Sequence, residues 1–172
     1  MKKIILIGYM GSGKSTIAKL LSKNMHYEFL DLDEIIEKEQ NASVSAIFER
    51  KGEVYFRKLE HEVLKRILES NRNMVLSLGG GTPCFSNNQE LLKQEDIDTI
   101  YLKTSIDKLY ERLRTQKANR PLIANKSEDE MKEFIAKHLF ERSYYYNQSQ
   151  YIVEVDEKSI PQIVKEIELL LA

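Results

Sequence analysis

The chain has 172 residues and a formal net charge of −1, with 26 basic against 27 acidic side chains. This length suits one domain over 1–172 with its own core, and the balanced charge argues against a nucleic-acid partner. A single cysteine, Cys84, excludes a disulfide framework or a Cys-rich zinc site, and no apolar run approaches the ~20 residues of a membrane span.

Short apolar runs alternate with longer helical patterns. Strands are expected at Lys3–Ile7, Glu28–Asp31, Met74–Leu78, Asp98–Leu102 and Gln150–Val155. Helices are expected at Ser15–Lys23, Leu32–Glu39 and Ser43–Arg50, with Gly52 ending the third, and then at Glu53–Glu69. Thr104 with Asp107, and Ser127 with Glu130, read as capping boxes for helices through Leu113 and Tyr146. Ser159 and Pro161 open the last helix. This order predicts an α/β fold with a five-stranded parallel sheet and helices on both faces. The basic, apolar start ends in Gly-Ser-Gly-Lys without a small-residue cleavage pattern, so a cytoplasmic protein is expected.

Six of only seven glycines fall in two clusters. The first, Gly8-Tyr-Met-Gly-Ser-Gly13-Lys14-Ser15, fits G-x-x-x-x-G-K-[ST], between a predicted strand and a predicted helix. Loop and helix N–H groups can cradle phosphates there, Lys14 can reach the β/γ-phosphates, and the Ser15 hydroxyl can ligate Mg²⁺. Asp31 and Asp33 follow at the end of the second strand, where i and i+2 point to one side. One carboxylate suits a hydrated metal and the other suits accepting a proton from an attacking hydroxyl; the alternative is a helix N-cap by Asp33 with Asp31 solvated. The second cluster, Gly79-Gly80-Gly81, ends a strand that carries no acid. It reads as a wall that lets a ligand lie on the backbone.

The arginines add a carboxylate-binding theme. Arg57 has Glu53 at i−4 and Glu60 at i+3, either of which can pair with it, and Arg142 extends the apolar face of Ile135, His138 and Leu139. Residues 112–126 hold Arg112, Arg114, Lys117, Arg120 and Lys126 with no acid, as expected of a mobile lid over a triphosphate. Asn125-Lys-Ser-Glu128 is close to a guanine-reading motif, but Ser127-x-x-Glu130 explains it as a cap. The three histidines, His26, His61 and His138, are widely separated and read as packing or surface residues, and Tyr144-Tyr145-Tyr146 reads as helix-end packing.

Taken together, these pieces resemble the shikimate kinase family. The resemblance is carried by Gly-Tyr-Met-Gly-Ser-Gly-Lys-Ser-Thr at 8–16, Asp31-Leu-Asp33, Gly52-Glu53-x-x-Phe56-Arg57-x-x-Glu60, Gly79-Gly80-Gly81, Arg120-Pro121-Leu122 and Glu141-Arg142. It implies a single-domain P-loop kinase that transfers the γ-phosphoryl of ATP to the 3-hydroxyl of shikimate. Gly11, Ser12, Gly13, Lys14, Ser15 and Thr16 would bind ATP, and Ser15 and Asp31 would serve Mg²⁺. Asp33 would hold the shikimate hydroxyls as candidate base. Phe48, Phe56, Gly79, Gly80 and Gly81 would line the acceptor pocket, Arg57 and Arg142 would grip the carboxylate, Arg120 would be the lid arginine, and Arg114 would lie near the adenine. The adenine-side loop is expected at Tyr144–Gln150. A monomer acting on ATP and shikimate, without nucleic acid or membrane, is expected; a gluconate-type sugar-acid kinase is the alternative.

Overall fold

The computed structural model describes residues 1–117 and 122–172. Five strands, β1 (Lys3–Ile7), β2 (Glu28–Asp31), β3 (Met74–Ser77), β4 (Ile97–Lys103) and β5 (Tyr151–Glu154), form one all-parallel sheet in the order β2-β3-β1-β4-β5. β1 and β3 are central, which is why Lys-Ile-Ile-Leu-Ile and Met-Val-Leu-Ser are buried at every position. Side chains alternate between two cores. Ile5, Ile7 and Leu76 face one, with Phe56, Leu64, Leu109 and Ile135; Ile4, Leu6 and Val75 face the other, with Ile17, Leu21 and Val164. The helices are α1 (Lys14–Met25), α2 (Leu32–Gln40), α3 (Val44–Leu68), α4 (Asn88–Leu91), α5 (Ile106–Arg114), α6 (Glu128–Tyr146) and α7 (Ile160–Leu171).

The chain leaves β1 towards β2 and β3 on one side and later crosses to β4 and β5 on the other. The order therefore reverses at β1, and the crevice beyond its C-terminal end is where such sheets bind ligands.

The five expected strands are present with ends shifted by at most one residue. Gly52 does divide its helical stretch: at φ 83° and ψ 169° it interrupts α3, in a conformation that L side chains rarely adopt. One cap is corrected. Ser105, not Thr104, caps α5, its Oγ accepting from the Lys108 N–H at 3.2 Å, while the buried Thr104 hydroxyl donates back to the Leu102 carbonyl. The expected box at Ser127 forms with Glu130, and Ser159, which opens the last helix as expected, proves to form a second box with Gln162. A 3₁₀ turn over Thr82–Cys84 and the short α4 were not anticipated, because neither is long enough to show a period.

Candidate active site

A cleft of about 570 Å³ opens at the C-terminal end of β1. Gly11–Thr16 form its floor. Gly11 and Gly13 sit at φ 83° and 93°, and a Cβ on Gly11 would stand 3.1 Å from the Leu113 side chain. Gly13 is the N-cap of α1 but offers no side-chain acceptor, so the first N–H groups of the helix are left for an anion. Lys14 Nζ folds over its own loop and donates to the Gly8 and Tyr9 carbonyls at 2.8 and 3.0 Å. Ser15 Oγ donates to Asp31 Oδ2 at 2.6 Å and lies 3.4 Å from Ser77 Oγ.

The two aspartates do meet at the cleft, but not by strand alternation. β2 ends at Asp31, α2 begins at Leu32, and Asp33 is already helical. The cap is Asp31, whose Oδ1 accepts from the Glu34 N–H at 3.2 Å; Asp33 is left to face the cleft. Burial, and then the neighbouring carboxylates of Asp31 and Glu60, push the Asp33 carboxyl up to about 6, against a partial pull from Lys14.

The second glycine cluster has a structural reason that sequence alone did not disclose. Each glycine makes room for a different charged side chain. A Cβ on Gly79 would stand 3.0 Å from Asp33 Oδ1, one on Gly80 would stand 3.1 Å from Arg142 Nη1, and one on Gly81 would stand 2.6 Å from Arg57 Nη2. The Arg57 guanidinium is held from several sides. Nη1 donates to Glu60 Oε2 at 2.8 Å, Nε lies 3.6 Å from Glu53 Oε1, and Cζ lies 4.1, 5.3 and 5.7 Å from the ring centroids of Phe85, Phe56 and Phe48. Of the two carboxylates flanking Arg57 in sequence, Glu60, itself 1% exposed, is thus the closer partner. Phe48 and Phe56 pack at 4.5 Å between centroids. Arg142 lies 5.6 Å from the Tyr9 ring, and among the described residues no acidic side chain comes within ion-pair distance of it.

A scan against protein-family models matches residues 10–171 to shikimate kinase. The chain belongs to the shikimate kinase family. The shikimate kinase of Flavobacterium johnsoniae is 58% identical over the full length of both chains. The crystal structure of shikimate kinase from Bacteroides thetaiotaomicron superposes with a TM-score of 0.92 at 37% identity, covering 99% of this chain and 98% of that one. A shikimate kinase from Acinetobacter baumannii in complex with shikimate gives 0.89 at 31% identity over 99% and 93%.

Within this shikimate kinase fold, the expected site residues divide. Asp31, Asp33, Gly79 and Gly80 line one cleft with the phosphate loop, and Arg57, Arg142, Phe48, Phe56 and Gly81 gather beside it. Arg114 is exposed at the end of α5, whereas Arg112 lines the cleft and donates to the Gly11 carbonyl at 3.0 Å. Arg120 and Pro121, at the centre of the expected lid, lie outside the described residues. The adenine-side loop is corrected. Tyr144–Gln150 leads into β5 and so sits at the N-terminal edge of the sheet, away from the phosphate loop; the cleft is bordered instead by Lys158, Ile160 and Ile163, after β5. Tyr146 was read as packing, and it is fully buried, yet its hydroxyl also donates to the Gly80 carbonyl at 2.6 Å. Its only sequence signal was its place at the end of an inward-facing helical stripe.

Proposed function

We propose that this chain transfers the γ-phosphoryl of ATP to the 3-hydroxyl of shikimate, giving shikimate 3-phosphate and ADP on the route to chorismate and the aromatic amino acids. The observation that carries the reading is the row of three glycines, which sets one carboxylate and two guanidinium groups side by side at the rim of a phosphate loop. Shikimate offers the complementary set, a carboxylate at one end of a carbocycle and hydroxyls at the other.

The carboxylate is received by Arg57 and Arg142, whose planar forks suit it. The ring of Phe48 and the buried Phe56 supply an apolar wall for the carbocycle. This directs a hydroxyl towards Asp33. With its carboxyl at about 6, Asp33 is mostly ionised at neutral pH, and it is a better proton acceptor than an ordinary aspartate. Lys14 exchanges its loop carbonyls for phosphate oxygens, and Gly11–Thr16 hold the rest of the triphosphate by backbone N–H groups.

The oxygens of Ser15 and Asp31, paired at 2.6 Å, fit a hard cation such as Mg²⁺. Among the described residues no group of three His, Cys, Asp or Glu side chains is placed to hold a metal. When bound, Mg²⁺ would neutralise charge on the phosphates. Arg120 is assigned to the phosphates by the sequence resemblance. Among the described residues no helix is long and apolar enough to cross a membrane. The assignment as a cytoplasmic monomer rests on the family resemblance.

Arg142→Ala tests the reading. It should raise the KM for shikimate at least 30-fold, about 2 kcal/mol for a charged hydrogen-bonded pair, with the KM for ATP unchanged. An unaltered shikimate KM would remove Arg142 from the acceptor site.

A further inference from the structure

The loop that follows β3 is tied to α3 by a chain of hydrogen bonds, buried at its centre and part-buried at its two ends, that the phosphoryl transfer itself does not use. His61 Nδ1 faces Asn88 Oδ1 at 2.8 Å, and Asn88 Nδ2 donates to the Thr82 carbonyl at 2.8 Å. The Thr82 hydroxyl donates to Glu60 Oε1 at 2.6 Å, and Glu60 Oε2 accepts from Arg57 Nη1 at 2.8 Å. With Asn88 Nδ2 spent on a carbonyl, Asn88 Oδ1 acts as acceptor, so His61 Nδ1 carries the hydrogen and the bonds run in one sense from His61 to Glu60. Thr82 and Asn88 are fully buried and Glu60 is 1% exposed, so water cannot replace a missing partner without rearrangement.

Geometry makes this a clamp. Arg57, Glu60 and His61 fall within about one turn of α3, while opposite them Gly81 and Thr82 lie at the turn after β3 and Asn88 opens α4. Glu60 therefore touches Arg57 with one oxygen and the loop with the other. The guanidinium has little slack, because the Gly81 position is so close that even a methyl group there would collide with it.

We propose that Thr82 and Asn88 are positioning residues for substrate binding. They clamp the loop after β3 to Glu60 and His61, and so hold the Arg57 guanidinium over Gly81 in the orientation that receives the acceptor's carboxylate. The inference rests on the reading of Arg57 as a carboxylate ligand, and the experiment separates the two.

Steady-state kinetics of the full chain are compared for wild type, Thr82→Val, Thr82→Ser and Arg57→Ala. Valine keeps the shape and removes the donor, leaving Glu60 Oε1 buried without a partner. The KM for shikimate should rise about 10-fold, with kcat and the KM for ATP within about twofold, as expected when a ground-state contact is misaligned. Thr82→Ser restores the hydroxyl and should return the shikimate KM to within about twofold of wild type. A purely structural role would lower thermal stability without separating the two KM values. If Arg57→Ala raises the shikimate KM and Thr82→Val leaves it unchanged, the clamp is refuted and the carboxylate reading stands. If Arg57→Ala itself leaves the shikimate KM unchanged, the carboxylate reading fails and the clamp's proposed purpose fails with it. Should Thr82→Val not fold, Asn88→Ala is read by the same ratio of shikimate to ATP KM, and an unchanged ratio overturns the proposal.

Discussion

Replacing Asp33 by asparagine should make the protein more stable and far less active. The folded structure holds the Asp33 carboxyl at about 6 against an ordinary 3.8, chiefly through burial and then through the charges of Asp31 and Glu60. At about 1.4 kcal/mol per pH unit, keeping this group ionised costs about 3 kcal/mol of folding stability at neutral pH. The sign follows from proton binding. Between pH 4 and 6 the folded state holds the proton more tightly than the unfolded chain, so stability falls as pH rises through that window and stays lower above it. Asparagine carries no such cost. For a chain of this size, where ~1 kcal/mol moves Tm by ~2–4 °C, nucleotide-free Asp33→Asn should melt about 6–12 °C above wild type at pH 8. The gap should shrink as pH falls towards 4. In a coupled ADP-release assay, kcat should drop at least 100-fold, the lower end of what a general base contributes. A Tm at pH 8 equal to or below wild type would refute burial as the source of the raised value. A kcat within threefold of wild type would refute Asp33 as the proton acceptor.

Three further outcomes follow from the same geometry. Gly81→Ala puts a Cβ 2.6 Å from Arg57 Nη2, so the guanidinium must move, and the shikimate KM should rise about 10- to 100-fold with the KM for ATP unchanged; equal effects on both would point to a general folding defect. Tyr146→Phe strips the bond to the Gly80 carbonyl and should cost about 1–2 kcal/mol, read as a Tm lower by about 3–7 °C, whereas an unchanged Tm would show that the bond contributes nothing. Chelating divalent cations should stop turnover, and Ser15→Ala should raise the Mg²⁺ concentration needed for half-maximal rate about 10-fold; an unshifted requirement would remove Ser15 from the cation site.

The fold was legible because its signals are local. A continuous apolar run such as Ile4-Ile5-Leu6-Ile7 suits only a strand covered on both faces, and Ser127 and Ser159 mark helix starts through hydroxyls that need a nearby N–H. The phosphate loop was equally legible, since its glycines and Lys14 serve backbone geometry within one turn of chain. Other features resisted for the opposite reason. Asp31 and Asp33 were expected on one side of an extended strand, yet the helix that starts at Leu32 already contains Asp33, so Asp31 is the residue that caps it. The purpose of Gly79, Gly80 and Gly81 depends on Asp33, Arg142 and Arg57, which arrive from α2, α6 and α3. Thr82, Asn88 and Tyr146 act through bonds spanning 22, 6 and 66 residues, and two of these reach beyond any helical or strand period. The choice between Arg112 and Arg114 turned on which face of α5 meets Gly11.

The identity of the acceptor is tested most directly by offering alternatives to shikimate. Purified protein with ATP and Mg²⁺ is offered shikimate, gluconate or a nucleoside monophosphate, and ADP release is followed with product mass. Stoichiometric ADP and shikimate 3-phosphate are expected with shikimate, and only background release with the other two. Turnover of gluconate or a nucleotide, with none of shikimate, would contradict shikimate as the acceptor.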